Sequence, residues 1–149
     1  MRIFRLHGRQ RAASDYSGSL RFASRWNPAG TPVLYASTAL SLACLELLVH
    51  VGPDQIPLNY IYTAAEIPLD PAAHDFRGSL RDSEATRRYG HGWATSQKSL
   101  AIYVPSVIIP VEFNVLLNPI HAAFQTVKWD DPKPFAFDPR LLRGSSAVL

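Results

Sequence analysis

Pro32-Val33-Leu34-Tyr35-Ala36-Ser37 runs directly into Thr38-Ala39-Leu40-Ser41-Leu42-Ala43-Cys44-Leu45-Glu46-Leu47-Leu48-Val49-His50-Val51. The first six residues read as a short buried strand. Ser37 or Thr38 then N-caps a helix to about Val51, and Gly52-Pro53 stops it. Working outward, residues 2–6 read as a first strand, followed by a polar loop to about Ser24. Residues 59–67, rich in Tyr, Ile and Thr, read as another strand, and 68–79 as loop. Asp82 or Ser83 caps a helix through Tyr89, with further helical turns around 93–98. Strands are expected at 99–104, 107–111 and 113–117, and a helical turn at 119–123. Strands at 125–129 and 135–137 close the chain. Strands outnumber helices and do not alternate with them regularly. This predicts an α+β fold of mixed, largely antiparallel sheets with short helices.

The chain has 149 residues, which suits a single domain over 1–149. Its 47% hydrophobic content excludes the disordered class. A lone cysteine, Cys44, excludes an internal disulfide framework and fits a reducing, cytoplasmic setting. No apolar run reaches the ~18 residues of a membrane span, and the first ten residues hold no signal-peptide core.

Charge is unevenly spread. Six arginines against Asp15 give residues 1–25 a charge of +5. Nine Lys/Arg against eleven Asp/Glu leave the remainder at −2. Between Arg25 and Arg77 there is no cation. A basic front suits an anionic partner: a phosphate ligand, a nucleic acid or an acidic protein. The plainer alternative is a solvated arginine-rich strand and loop.

Four positions carry chemistry. On a helical wheel Ala39, Leu42, Ala43, Glu46, Val49 and His50 share one face, with Leu40, Cys44, Leu47, Leu48 and Val51 turned toward a core. A carboxylate beside small alanines leaves room for a ligand. Alternatively Glu46 and His50 form a solvated i, i+4 pair. Arg25, beside Trp26, is placed to clamp a phosphate, or else its stem packs on the indole. Tyr35 offers a ring to a planar ligand, or belongs to the core. Ser106 lacks the context of a nucleophile elbow and reads as a hydrogen-bonding serine. The five histidines have no metal-ligand spacing, and no glycine-rich phosphate loop occurs.

Arg25-Trp26-Asn27-Pro28 with Gly30, then residues 32–37, Leu42-Ala43, Glu46 and Leu48-Val49-His50 form an ordered series. Gly92-Trp93, Val104-Pro105-Ser106, Asn114 with Leu116-Leu117-Asn118-Pro119-Ile120-His121, and Phe137-Asp138-Pro139-Arg140 continue it. The series resembles the RES-domain family over nearly the whole chain. That resemblance implies a toxin of a bacterial toxin–antitoxin pair with a fold similar to ADP-ribosyltransferases. It implies NAD as substrate, with no resident cofactor and no metal. Some members release nicotinamide by hydrolysis or phosphorolysis, and others transfer ADP-ribose to a protein. The implied partner is an Xre-like antitoxin that blocks the active site, so DNA is reached only through the antitoxin. Homo-oligomerisation within that complex stays open. The family's Arg, Glu and Ser fall on Arg25, Glu46 and Ser106, and its site tyrosine on Tyr35. Many members carry two glycines before the Arg-Trp-Asn, where this chain has Ala23-Ser24. That departure bears on loop shape.

The implied chemistry suits these residues. Losing nicotinamide builds positive charge on the ribose, which a carboxylate stabilises. Glu46 takes that role. Arg25 holds the pyrophosphate or adjacent ribose, and Tyr35 stacks on nicotinamide. Ser106 bonds the ribose or orients Glu46. A nucleic-acid-binding module on the basic front is the reading from another class, although its arginines lack interleaved stacking aromatics.

Overall fold

In the computed structural model, residues 1–51, 58–68 and 70–142 are described. The strands are β1 (Arg2–Gly8), β2 (Leu34–Ser37), β3 (Tyr60–Glu66), β4 (Ala101–Pro105), β5 (Phe113–Leu117), β6 (Lys128–Trp129) and β7 (Lys133–Phe135). They form one sheet in the order β4-β5-β2-β1-β3-β6, with β7 also on β3. Every strand pair is antiparallel. The helices are α1 (Ser17–Arg21), α2 (Leu40–Leu48) and α3 (Ser83–Ser96). The expected α+β class is therefore the observed one. Among the described residues no helix is long and apolar enough to cross a membrane.

Strands β2, β4 and β5 have buried residues on both faces, which suits their apolar runs. Successive side chains of a strand point to opposite faces. Leu34, Ala36, Val115, Leu117 and Ala101 join Ile3, Ala65 and Leu100 in one core. Val33, Leu116, Ile102 and Val104 join Trp26, Trp93 and Ala94 in the other. Tyr35, Ser37 and Asn114 share the second face, and the register sets Ser37 opposite Asn114. The functional side chains thus stand on the sheet face that α3 covers.

Several local expectations shift. The segment 107–111 is not a strand. Ser106 Oγ accepts from the backbone N–H of Ile108 and Ile109 at 3.1 and 3.0 Å, and Ser106 N–H donates to Glu112 O. These bonds close the β4–β5 hairpin loop and leave Val111 86% exposed. Apolar, β-branched composition imitated a strand, but the serine side chain captured the amides that a ladder needs. The polar stretch before Ser24 contains α1. Helix α2 starts later than expected: its N-cap is Ala39, and Thr38 Oγ1 donates to Phe113 O instead of capping. Leu42, placed by the wheel on the Glu46 face, is the most deeply buried residue of α2, with Ala43 and Cys44 beside it. Leu47 and Leu48 are only half-buried. The proposed stop at Gly52-Pro53 lies outside the described residues.

Helix α3 is continuous where two pieces were expected. Asp82 caps it by accepting from the Glu84 and Ala85 amides, and Gln97 ends it in the left-handed region at φ 50°. Its buried residues Thr86, Gly90, Trp93 and Ala94 form one stripe at helical spacing.

Arg2, Arg5 and Arg11, half of the arginines of the basic front, have structural bonds. Arg5 donates to the carbonyls of Ala13 and Asp15, and burial pushes its guanidinium down to about 10. Arg2 pairs with Glu66 and Asp130, and Arg11 with Asp15. His7 is buried and joined to Thr63 Oγ1 at 2.9 Å, tying β1 to β3. Burial holds its imidazole below the ordinary histidine value. The folded state therefore favours neutral His7, and the unfolded chain binds a proton more readily. This stabilisation is complete above about pH 6.5, the unfolded value, and is lost as pH falls through the lower folded value. The melting temperature should drop over that range, and His7→Gln should flatten that limb. Identical pH slopes in both proteins would overturn the assignment.

Candidate active site

A cavity of about 800 Å3 opens on the Tyr35–Ser37–Asn114 face, within the usual range for small-molecule sites. Helix α2 contributes Ala43, Glu46 and Leu47 to its wall, α3 contributes Ser83 and Arg87, and the loop 23–26 contributes Arg25. The small Ala43 leaves space beside Glu46.

Glu46 is held from one side. Its Oε1 accepts from Ser106 Oγ at 2.8 Å and from Asn114 Nδ2 at 2.5 Å. Asn114 is itself oriented, because Ser37 Oγ donates to its Oδ1 at 2.7 Å. Ser106 Oγ is fixed by the two amides of the hairpin loop. A chain of hydrogen bonds from β2, β5 and the β4–β5 loop therefore sets the carboxylate on α2. Among the described residues the only buried side-chain polar atom without a partner is His74 Nδ1. Glu46 Oε2 makes no hydrogen bond to a described residue, so it must be open to solvent. Among the described residues one oxygen is bound by protein and the other has no partner, on a side chain that lines the cavity. The alternative pair with His50 is not formed: His50 lines the same cavity but is exposed and makes no bond to Glu46.

Ser106 is fully buried and does not line the cavity. Of its two expected roles, the geometry provides the orienting one. Asn114, quoted within the sequence series but given no role there, has an equal share in holding Glu46. Asn114→Asp would replace the donor facing Oε1 with an acceptor. Losing a hydrogen bond to a charged group costs about 1.5–3 kcal/mol. We expect any activity that depends on the Glu46 carboxylate to fall about 10- to 100-fold, with the fold retained by circular dichroism.

Tyr35 both lines the cavity and fastens the arginine loop. Its hydroxyl donates to Asn27 Oδ1 at 2.8 Å and accepts from Trp26 N–H at 3.1 Å. Burial raises the phenol well above its ordinary value, so it stays protonated. Asn27 is completely buried, and its Nδ2 lies within bonding distance of the carbonyls of Ser19, Phe22 and Pro28. Trp26, 2% exposed, sits edge-on to Phe76 and Tyr89 at 5.4 and 5.9 Å. Ala23 and Ser24 have no positive φ, so the backbone at these two positions does not require glycine. Arg25 is exposed at the cavity wall, and its guanidinium donates to Leu80 O. Arg25, Tyr35 and Glu46, read from the sequence, thus surround one cavity. Arg87 was missed. It lines the same cavity, and its Nε donates to Ser24 O at 2.9 Å. Its only sequence signal was a position one turn into α3.

The RES domain pattern matches residues 1–138. The chain belongs to the RES-domain family. It is 36% identical to the "Prs ADP-ribosylating toxin" of Sphingobium sp. (strain YBL2), over 88% of this chain and 89% of that protein. It is 33% identical to the "Toxin Res" of Photorhabdus laumondii, over 96% of this chain and 98% of that one. Its fold is similar to a chain in the crystal structure of the M. tuberculosis MbcT–MbcA toxin–antitoxin complex. The TM-score is 0.71, with 14% identity over 95% of this chain and 86% of that chain. This RES-domain chain is thus a toxin-family protein with the fold expected of it.

Proposed function

We propose that this RES-domain protein is an NAD-consuming toxin. It breaks the bond between nicotinamide and ribose C1′. The carboxylate arrangement carries this reading: Glu46 has one oxygen held by Ser106 and Asn114, and the other open in a cavity that arginines also line.

As the C1′–N bond stretches, its electron pair leaves with nicotinamide and the ribose becomes cationic. Glu46, held in place before the reaction, stabilises that charge and accepts from the ribose hydroxyl. A carboxylate that does not reorganise during the step is worth more than a mobile one. Arg25 binds the pyrophosphate, and Tyr35 keeps the nicotinamide ring at an angle that favours departure. Water or phosphate then adds at C1′, a proton is lost, and the cell is depleted of NAD. A second reading, transfer of ADP-ribose to a specific protein, is favoured by the name of the Sphingobium relative. The partner is an antitoxin that closes the cavity; support for an antitoxin partner comes from the toxin–antitoxin complex that holds the structural neighbour.

Purified protein given NAD labelled in its adenosine half should release free nicotinamide. Label recovered as ADP-ribose or its 1″-phosphate indicates depletion. Label retained on a protein in lysate indicates transfer. Toxicity with neither nicotinamide release nor labelled protein would sink both readings.

A further inference from the structure

Arg87 is a cation at the cavity that the reaction above leaves without a task. It enters from α3, while Arg25 enters from the loop beneath. Each guanidinium is hooked to one backbone carbonyl, Leu80 O for Arg25 and Ser24 O for Arg87. A guanidinium has five N–H donors in a planar fork, so each hook orients the group and leaves most of its donors unused. Arg2, Arg11, Arg88 and Arg140 each have a carboxylate partner. Among the described residues Arg25 and Arg87 have none, as is also true of Arg5, Arg9, Arg21, Arg77 and Arg81, but only Arg25 and Arg87 line this cavity. Both charges also act on the Tyr35 phenol, which places them within electrostatic reach of one group. Two oriented, unpaired cations on one concave wall repel each other, and an anion between them removes that cost.

We infer that Arg25 and Arg87 form a two-armed clamp for a diphosphate, so the cavity selects diphosphate-bridged nucleotides over mononucleotides. A single phosphate fills one fork well. A diphosphate presents oxygens to both, and a planar fork matches phosphate oxygens in pairs. The inference rests on the nucleotide reading of the cavity, but not on turnover.

Calorimetric titration of the whole chain with inorganic pyrophosphate, ADP, AMP and adenosine tests it. The unsubstituted protein should bind ADP about tenfold or more tightly than AMP. Arg87→Ala should weaken pyrophosphate and ADP by about tenfold or more and abolish the preference over AMP. Arg87→Lys, which keeps a charge and a donor for Ser24 O, should recover only part of the loss because an ammonium lacks the fork. Arg88→Ala removes an exposed neighbour paired with Glu84 and should change nothing. Equal affinities for ADP and AMP in the unsubstituted protein would overturn the clamp. So would an unchanged preference in Arg87→Ala, or an equal weakening of all four ligands. Nicotinamide release is measured separately. Its absence beside Arg87-dependent ADP binding removes the NAD reaction and keeps the clamp. Its presence without that dependence does the reverse.

Discussion

Glu46→Gln is expected to lower nicotinamide release by about 100- to 1,000-fold, the usual cost of removing a preorganised electrostatic group at developing charge. Gln has nearly the same shape, so the cavity and α2 should persist. Its side-chain oxygen can still accept from Ser106 Oγ and Asn114 Nδ2. What disappears is the negative charge beside the ribose. The loss should fall on kcat more than on KM, because the charge on the ribose appears only as the bond breaks. Ser106→Ala should give a smaller loss than Glu46→Gln, since it frees the carboxylate without removing it. A Glu46→Gln protein with undiminished turnover would remove Glu46 from the chemistry.

The second large effect concerns Gly90. A Cβ at this position would lie 1.8 Å from Trp26 O, a backbone atom that cannot swing aside. Gly90→Ala must push α3 away from the arginine loop. Overpacking of this kind costs about 1–3 kcal/mol, and a backbone clash belongs at the upper end. At this chain length that corresponds to a fall of roughly 6–12 °C in melting temperature. The same displacement loosens the Arg87 hook on Ser24 and the aromatic seat of Trp26. Turnover should therefore drop even in protein that remains folded. Gly92 is the control. It lies in the same helix with nothing within 4 Å of its Cβ position. Gly92→Ala should stabilise the protein by about 0.5–1 kcal/mol. Equal melting temperatures for the two variants would show that α3 does not press on the loop as described.

This contrast also marks where the sequence was legible. The likeness to relatives drew attention to Gly92-Trp93, yet the glycine with a packing reason is Gly90. A glycine's necessity lies in what approaches it, and the approaching atom belongs to Trp26, far away in the chain. The strand at 34–37 and the helix after it were legible because their periodicity and composition are local. The segment 107–111 was misread because strand propensity is equally local, and the competing bonds of Ser106 cannot be seen without the turn they close. The wheel of α2 groups Leu42 and Ala43 with Glu46 correctly but turns the other face to the core, because a nine-residue helix with few polar side chains has weak sidedness. Its buried face is decided by the sheet it meets.

The amino-acid sequence by itself determined the class of fold, the ordered motif series and three residues of the cavity: Arg25, Tyr35 and Glu46. Residue type raised each of these three with a plainer alternative beside it, and the resemblance to the RES-domain family decided between them. Tertiary structure alone decided how they act together. It gave Ser106 the orienting one of its two expected roles, gave Asn114 an equal part, and left His50 without a bond to the carboxylate. It also used Arg2, Arg5 and Arg11 of the arginine-rich front in structural bonds. The sequence offered no cation between Arg25 and Arg77, but α3 returns one to the cavity in Arg87. Hydrogen bonds and charge act through space over a few ångströms. Which distant residues come within that reach is fixed only when α3 closes over the sheet.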